Sequence, residues 1–181
     1  MELRTVRLTL REYRVDNFEA MFALDTDPAV QQMRGRAALT REQSRRYFDG
    51  VLRAQHEQPR GHFGLIIEDR SEQVVLGRCR LQITNENLQE AEIAYHLSPS
   101  NWGQGYATET ARELLRFGFQ DLDLHRITAK CYVENSSSIH VLEKIGMQLE
   151  GRMRQNRWVN GVRKDTLVYS ILSHEWQASS S

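Results

Sequence analysis

A chain of 181 residues and 21.1 kDa has the size of one ordinary domain, enough to bury about 70% of its unfolded surface without disulfide staples. Hydrophobic residues at 40% and charged residues at 27% are globular values that exclude a fibrous or disordered chain. Lys plus Arg equals Asp plus Glu at 24 each, a net charge of zero, which argues against a dedicated nucleic-acid binder.

Of the basic residues, 21 are Arg and 3 are Lys. The arginine fork suits phosphate, although codon bias explains the same skew. Cys79 and Cys131 form no CxxC pair and read as two reduced thiols. The N-terminus offers no apolar segment for a signal peptide. The longest apolar run, residues 20–24, falls far short of the about 20 residues that span a bilayer. The expectation is a cytoplasmic protein with no membrane contact, one domain over residues 1–176 and a short polar tail at 177–181.

Residues 7–11 alternate polar and apolar as a half-buried strand does. Asp16 with Glu19 resembles a capping box opening a helix that stops near Asp27-Pro28. Thr40 with Gln43 repeats the signal, and Tyr47, Phe48, Val51 and Leu52 follow at helical spacing. From Gly61 the pattern changes: residues 62–68, 74–84 and 91–97 read as three strands of an antiparallel meander separated by polar turns. Residues 106–120 form an amphipathic helix, 126–133 a strand and 136–145 a short helix stopped by Gly146. Asn160-Gly161 is a hairpin signal between strands at 157–159 and 162–172. The predicted fold class is α/β (α+β), a mixed sheet of about six or seven strands flanked by about four helices. Parallel pairing is expected only around the central strand–helix–strand unit.

The most informative stretch runs Leu97-Ser98-Pro99-Ser100-Asn101-Trp102-Gly103-Gln104-Gly105-Tyr106-Ala107-Thr108-Glu109. A strand ends, a loop with two close glycines follows, and a helix begins. Such a loop aims several backbone N–H groups at one point, and the helix N-terminus adds partial positive charge, so a phosphate or pyrophosphate fits there. A turn that merely needs glycine at positive φ reads the same way. A P-loop is excluded, because no Gly-Lys-Ser/Thr follows. A dinucleotide fingerprint is excluded too, because Thr108 stands where its third glycine belongs.

Taken with ENSSSIHVLEKIGM and GVRKDTLVYSIL, the segment NWGQGYATETA resembles the GNAT superfamily of N-acetyltransferases. The likeness is to the branch of ribosomal-protein N-terminal (alanine or serine) acetyltransferases, and VRLTLREYRVDNFEAMFALDTDPAV resembles that branch's opening. The resemblance implies a GNAT-like acyl-CoA N-acyltransferase fold and acetyl-CoA as cosubstrate, with no metal. Leu97, Trp102, Gly103, Gln104, Gly105, Tyr106, Ala107 and Thr108 would bind it, and its pantetheine arm would lie between two splayed central strands. Trp102 departs from the polar residue usual at that place. Leu142 stands where many relatives carry a tyrosine that protonates the departing thiolate.

The same resemblance implies that an amine acceptor, a peptide N-terminus or a small amine, attacks the thioester directly. A homodimer is a separate partner expectation. Glu92 is the candidate base, with His96 second; an ordinary solvent-facing strand carboxylate is the competing reading of Glu92. Ser138 takes the place of the missing tyrosine as acid, against a role in a helix-capping serine cluster. Asn135 suits the pantetheine amides or a cap, Lys144 the phosphates or plain solvent. Cys131 reads as a small buried hydrophobe rather than an acyl carrier. Two other readings stand beside the peptide acetyltransferase: an enzyme acting on a polyamine, antibiotic or metabolite, and a non-catalytic acetyl-CoA sensor. Residues 85–95 hold Glu86, Glu90 and Glu92 with no basic residue, an acidic stretch expected to attract a cationic amine.

Overall fold

Strands with alternating burial and helices with one apolar face assemble around a single mixed sheet in the computed structural model, which describes residues 1–34, 38–159 and 161–179. The strands are β1 (Glu2–Arg4), β2 (Leu8–Glu12), β3 (His62–Asp69), β4 (Val75–Asn85), β5 (Glu90–Leu97), β6 (Arg126–Tyr132), β7 (Gln148–Val159) and β8 (Val162–Leu172). The helices are α1 (Phe18–Thr26), α2 (Pro28–Arg34), α3 (Arg41–Ala54), α4 (Tyr106–Arg116), α5 (Ser136–Lys144) and α6 (Ser173–Ser179). The sheet order is β1-β2-β3-β4-β5-β6-β8-β7, and the pairing is antiparallel except between β5 and β6. That one parallel pair, bridged by α4, is the expected central unit.

The architecture is the α/β class read from the sequence, with eight strands rather than about six or seven and six helices rather than about four among the described residues. The additional elements are short: β1 has 3 residues, and α2 and α6 have 7 each, too few for a periodic pattern to declare itself. The hairpin strand β7 also runs back to Gln148, well before residue 157. Asn160, half of the expected turn signal, lies outside the described residues; Gly161 has φ +77°, and Val159 pairs with Val162. Residues 180 and 181 of the expected tail are likewise outside them. Among the described residues no helix is long and apolar enough to cross a membrane.

Two apolar layers sandwich the sheet. On one face Leu81, Ile93, Ile127 and Ala129 pack beneath Leu114 and Leu115 of α4 and Leu142 of α5. On the other, Ile66 meets Phe18, Met21, Leu24, Phe48 and Val51 from α1 and α3. The Thr40/Gln43 capping box opens α3 as expected: the Gln43 N–H donates to Thr40 Oγ1 at 3.2 Å and the Thr40 N–H to Gln43 Oε1 at 2.9 Å. The Asp16/Glu19 box does not form. A 3-10 turn, Val15–Asn17, comes first, and the Asn17 side chain accepts from the Arg14 N–H at 3.0 Å and from Arg11 Nη1 at 2.8 Å.

Candidate active site

The loop from β5 to α4 is fixed by its own side chains. The Trp102 indole N–H donates to the Leu97 carbonyl at 2.9 Å, and Gln104 Nε2 donates to the Ser100 carbonyl at 3.0 Å. From the N-terminal segment, Arg7 Nη1 donates to the Gln104 carbonyl at 3.0 Å, while the Arg7 guanidinium and the Thr5 hydroxyl both hold the Glu109 carboxylate. Gly103 has φ +75° and Gly105, the N-cap of α4, has φ +81°, the left-handed region that a side chain disfavours. The first-turn amides of α4, at Tyr106, Ala107 and Thr108, have no acceptor within the helix. All three residues line a cleft of about 1070 Å³.

That cleft passes through the sheet. β5 and β6 pair from Glu90↔Arg126 to Ile93↔Ala129 and no further, although β5 continues to Leu97 and β6 to Tyr132. Beyond Ile93 and Ala129 the strands splay, and the cleft joins the α4 side to the α1–α3 side. Its α4 side carries the glycine loop with Tyr95, Leu97, Asn135, Ser138, Leu142 and Lys144. Its other side carries Tyr13, Tyr47, His62, Arg80, Glu92 and His96. Every residue read from the sequence as part of the site except Gln104 lines this one cavity; Gln104 braces the loop from behind.

Glu92 is not an ordinary solvent-facing carboxylate. Lys130 Nζ donates to its Oε2 at 2.6 Å and Arg80 Nη2 to its Oε1 at 2.8 Å. Burial by itself raises the carboxyl's pKa, but Lys130 and Arg80 outweigh it and hold Glu92 below the usual carboxylate range. In the same acidic stretch Glu90 lies 3.5 Å from Arg126, which Glu150 also holds. At Glu92 the expected attraction for a cationic amine is therefore offset by partners distant in sequence. Beside Glu92 in the register, across Gln82, stands His62, whose pKa is lowered by burial and by Arg80 and Arg60.

On the α4 side, the Ser138 hydroxyl is 3.3 Å from the Tyr95 phenol oxygen. Burial pushes the Tyr95 phenol up to about 12 and the Cys131 thiol, which also touches Ser138, up to about 11. The N-cap of α5 is Asn135: its Oδ1 accepts from the Ser138 N–H at 3.0 Å. None of the three serines holds that place, so Ser138 keeps its hydroxyl for the cleft. Leu142 is buried at 1% exposure in the α4-side core. Tyr95, Arg80 and Lys130 escaped the sequence reading because only the strand register brings them to the site; Tyr95 lies on the face of β5 opposite Glu92, as the two-residue period of a strand requires.

Residues 7–148 match the family described as acetyltransferase (GNAT) domain. The chain is 30% identical over 175 residues to the uncharacterized N-acetyltransferase p20 of Bacillus licheniformis, covering 96% of this chain and 97% of that one. It is 36% identical over 101 residues to YdaF of Bacillus subtilis, provisionally named a ribosomal N-acetyltransferase, covering 56% of this chain and 55% of that one. The spermidine N-acetyltransferase of Vibrio cholerae in complex with CoA and spermine superposes with a TM-score of 0.84, at 21% identity over 96% of this chain and 99% of that one. That last likeness is one of fold.

Proposed function

The chain belongs to the GNAT acetyltransferase family, and from that premise we propose that it moves an acetyl group from acetyl-CoA to a primary amine by direct attack, the acceptor being a protein N-terminal α-amine of the ribosomal-protein type. The observation that carries the reading is the cleft through the sheet, with a phosphate-type loop on one side and an ion-paired carboxylate on the other. The residues fit the donor. Positive-φ glycines and the first-turn amides of α4 suit a pyrophosphate, and Lys144 adds a cation on the same side. Backbone groups of 94–97 and 130–132 facing the splay lack ladder partners there, so, the Leu97 carbonyl held by Trp102 aside, they suit the amides of an extended arm. Asn135 adds its side-chain NH₂, since only its oxygen is engaged by the cap.

Acetyl-CoA supplies an acetyl thioester open to an amine. Glu92 accepts the amine's proton, directly or through a water. Its lowered proton affinity favours an acceptor that gives up a proton readily, and an α-amine with pKa of about 8 does so far more easily than an alkylamine near 10.4. Ser138 hydrogen-bonds the departing sulfur, and Tyr95 behind it replaces the proton that the serine gives, since a hydroxyl alone is a poor acid.

The test is acceptor-dependent release of CoA thiol with peptides bearing N-terminal Ser or Ala, beside a panel of small amines. Release with the peptides is the expected result. No release across the whole panel overturns the reading, and tight acetyl-CoA binding without turnover would make the chain a sensor instead.

A further inference from the structure

The acceptor side of the cleft is positive, and we propose that it selects an amine that carries its own negative charge: a protein N-terminus with acidic side chains directly behind the α-amine. The proposal rests on the amine-acetylation reading and narrows its acceptor. Among the described residues lining the cleft, Glu92 is the one carboxylate, and Arg78, Arg80 and Lys130 are the cations on its side, Lys144 lying on the donor side. Arg78 is consumed by the buried Asp25, at 3.0 and 2.5 Å. Glu92, by contrast, is shared by two cations, which leaves one positive charge over.

Geometry puts that charge at the point of transfer. Arg80 pairs in register with Ala94, the first β5 residue beyond the last β5–β6 pair, and Lys130 is the first such residue of β6. The two cations thus stand on either side of the splay's vertex, on the face opposite the glycine loop, with the Glu92 carboxylate bridging their heads. Side-chain exposures of 33% for Arg80 and 38% for Lys130 keep both heads within reach of a ligand. Each has donors beyond the one spent on Glu92. On a third strand, burial lowers the pKa of His62 most, and Arg80 and Arg60 add to that shift against an opposing pull from Glu57. A polyamine would bring several positive charges to two cations whose shared carboxylate is already engaged; an acidic peptide brings complementary charge.

The experiment uses two peptides with the same first residue and length, one with Asp-Glu and one with Lys-Lys at positions two and three. Spermidine and free glutamate complete the series. Thiol release gives kcat/KM, and calorimetry measures binding of the N-acetylated peptides to the CoA-loaded protein. The expected result is a preference of about tenfold or more for the acidic peptide, weakened by salt and lost or inverted in Lys130→Glu. An equal or better rate with the basic peptide or spermidine overturns the proposal, as does a preference untouched by Lys130→Glu. Glutamate outrunning the acidic peptide upholds the anion site and makes its ligand a small amino acid. If no acceptor turns over, the transferase reading fails; charge selection then stands if the acetylated acidic peptide still binds more tightly, and falls if it does not.

Discussion

Tyr95 on β5 and Ser138 on α5 meet across the mouth of the splay, phenol oxygen to hydroxyl at 3.3 Å. In the proposed mechanism, this pair of weak acids in series serves in place of the acid that Leu142 cannot supply. Tyr95→Phe and Ser138→Ala are each expected to lower kcat by about tenfold or more, toward the lower end of general-acid effects, with little change in acetyl-CoA affinity. A relay also predicts that the double variant loses scarcely more than the worse single one. Fully additive losses in steady-state kinetics would separate the two residues.

Glu92→Gln is expected to lower turnover at neutral pH by about a hundredfold and to recover in part at high pH, where free amine is abundant. Because Lys130 and Arg80 outweigh burial and depress the carboxyl, Glu92 stays ionised down through the usual carboxylate range. The rise of kcat/KM between pH 6 and 9 therefore follows the acceptor's ammonium group and shifts with the acceptor used. A pH–rate profile identical in the wild type and the variant, with no loss of turnover, would remove Glu92 from the base role.

Gly105 caps α4 at φ +81°. Gly105→Ala places a side chain in left-handed backbone at a cost of about 1–2 kcal/mol, and the chain relieves that strain by moving the first-turn amides. The acetyl-CoA dissociation constant is expected to rise about tenfold with kcat less affected, measured by calorimetry and initial rates. Unchanged affinity would mean that these amides do not hold the donor.

The Asp25–Arg78 pair is almost wholly buried, at 2% and 5% side-chain exposure. Asp25→Ala leaves the guanidinium without this partner and should cost about 3–5 kcal/mol in urea unfolding. A loss below 1 kcal/mol would show that solvent reaches Arg78 from the cleft it lines.

Local periodicity made most of the framework legible. Residues 62–68 and 91–97 announced strands, Thr40 and Gln43 announced α3, and two glycines ahead of an amphipathic run announced the start of α4. What stayed hidden depends on partners far along the chain. Lys130 lies 38 residues from Glu92, and Ser138 43 residues from Tyr95. No window of sequence contains either pair; the pairings between β4, β5 and β6 create the first and the docking of α5 the second. The same reason changes the reading of Glu92 in the acidic stretch, whose charge is offset by cations on neighbouring strands. At Asp16 and Glu19 a local signal lost to a stronger one, since Asn17 meets both the backbone and Arg11.

The sheet holds together across its middle by four residue pairs, from Glu90↔Arg126 to Ile93↔Ala129. Mechanically it is two plates, β1 to β5 and β6 with β8 and β7, joined along a short seam. From that seam to Leu97 is a lever of about 13 Å, four residues at roughly 3.3 Å each. A relative tilt of one degree would move the far lip by about 0.2 Å over such a lever. Small rocking of the plates would thus set the width available to a ligand, with the seam as the axle.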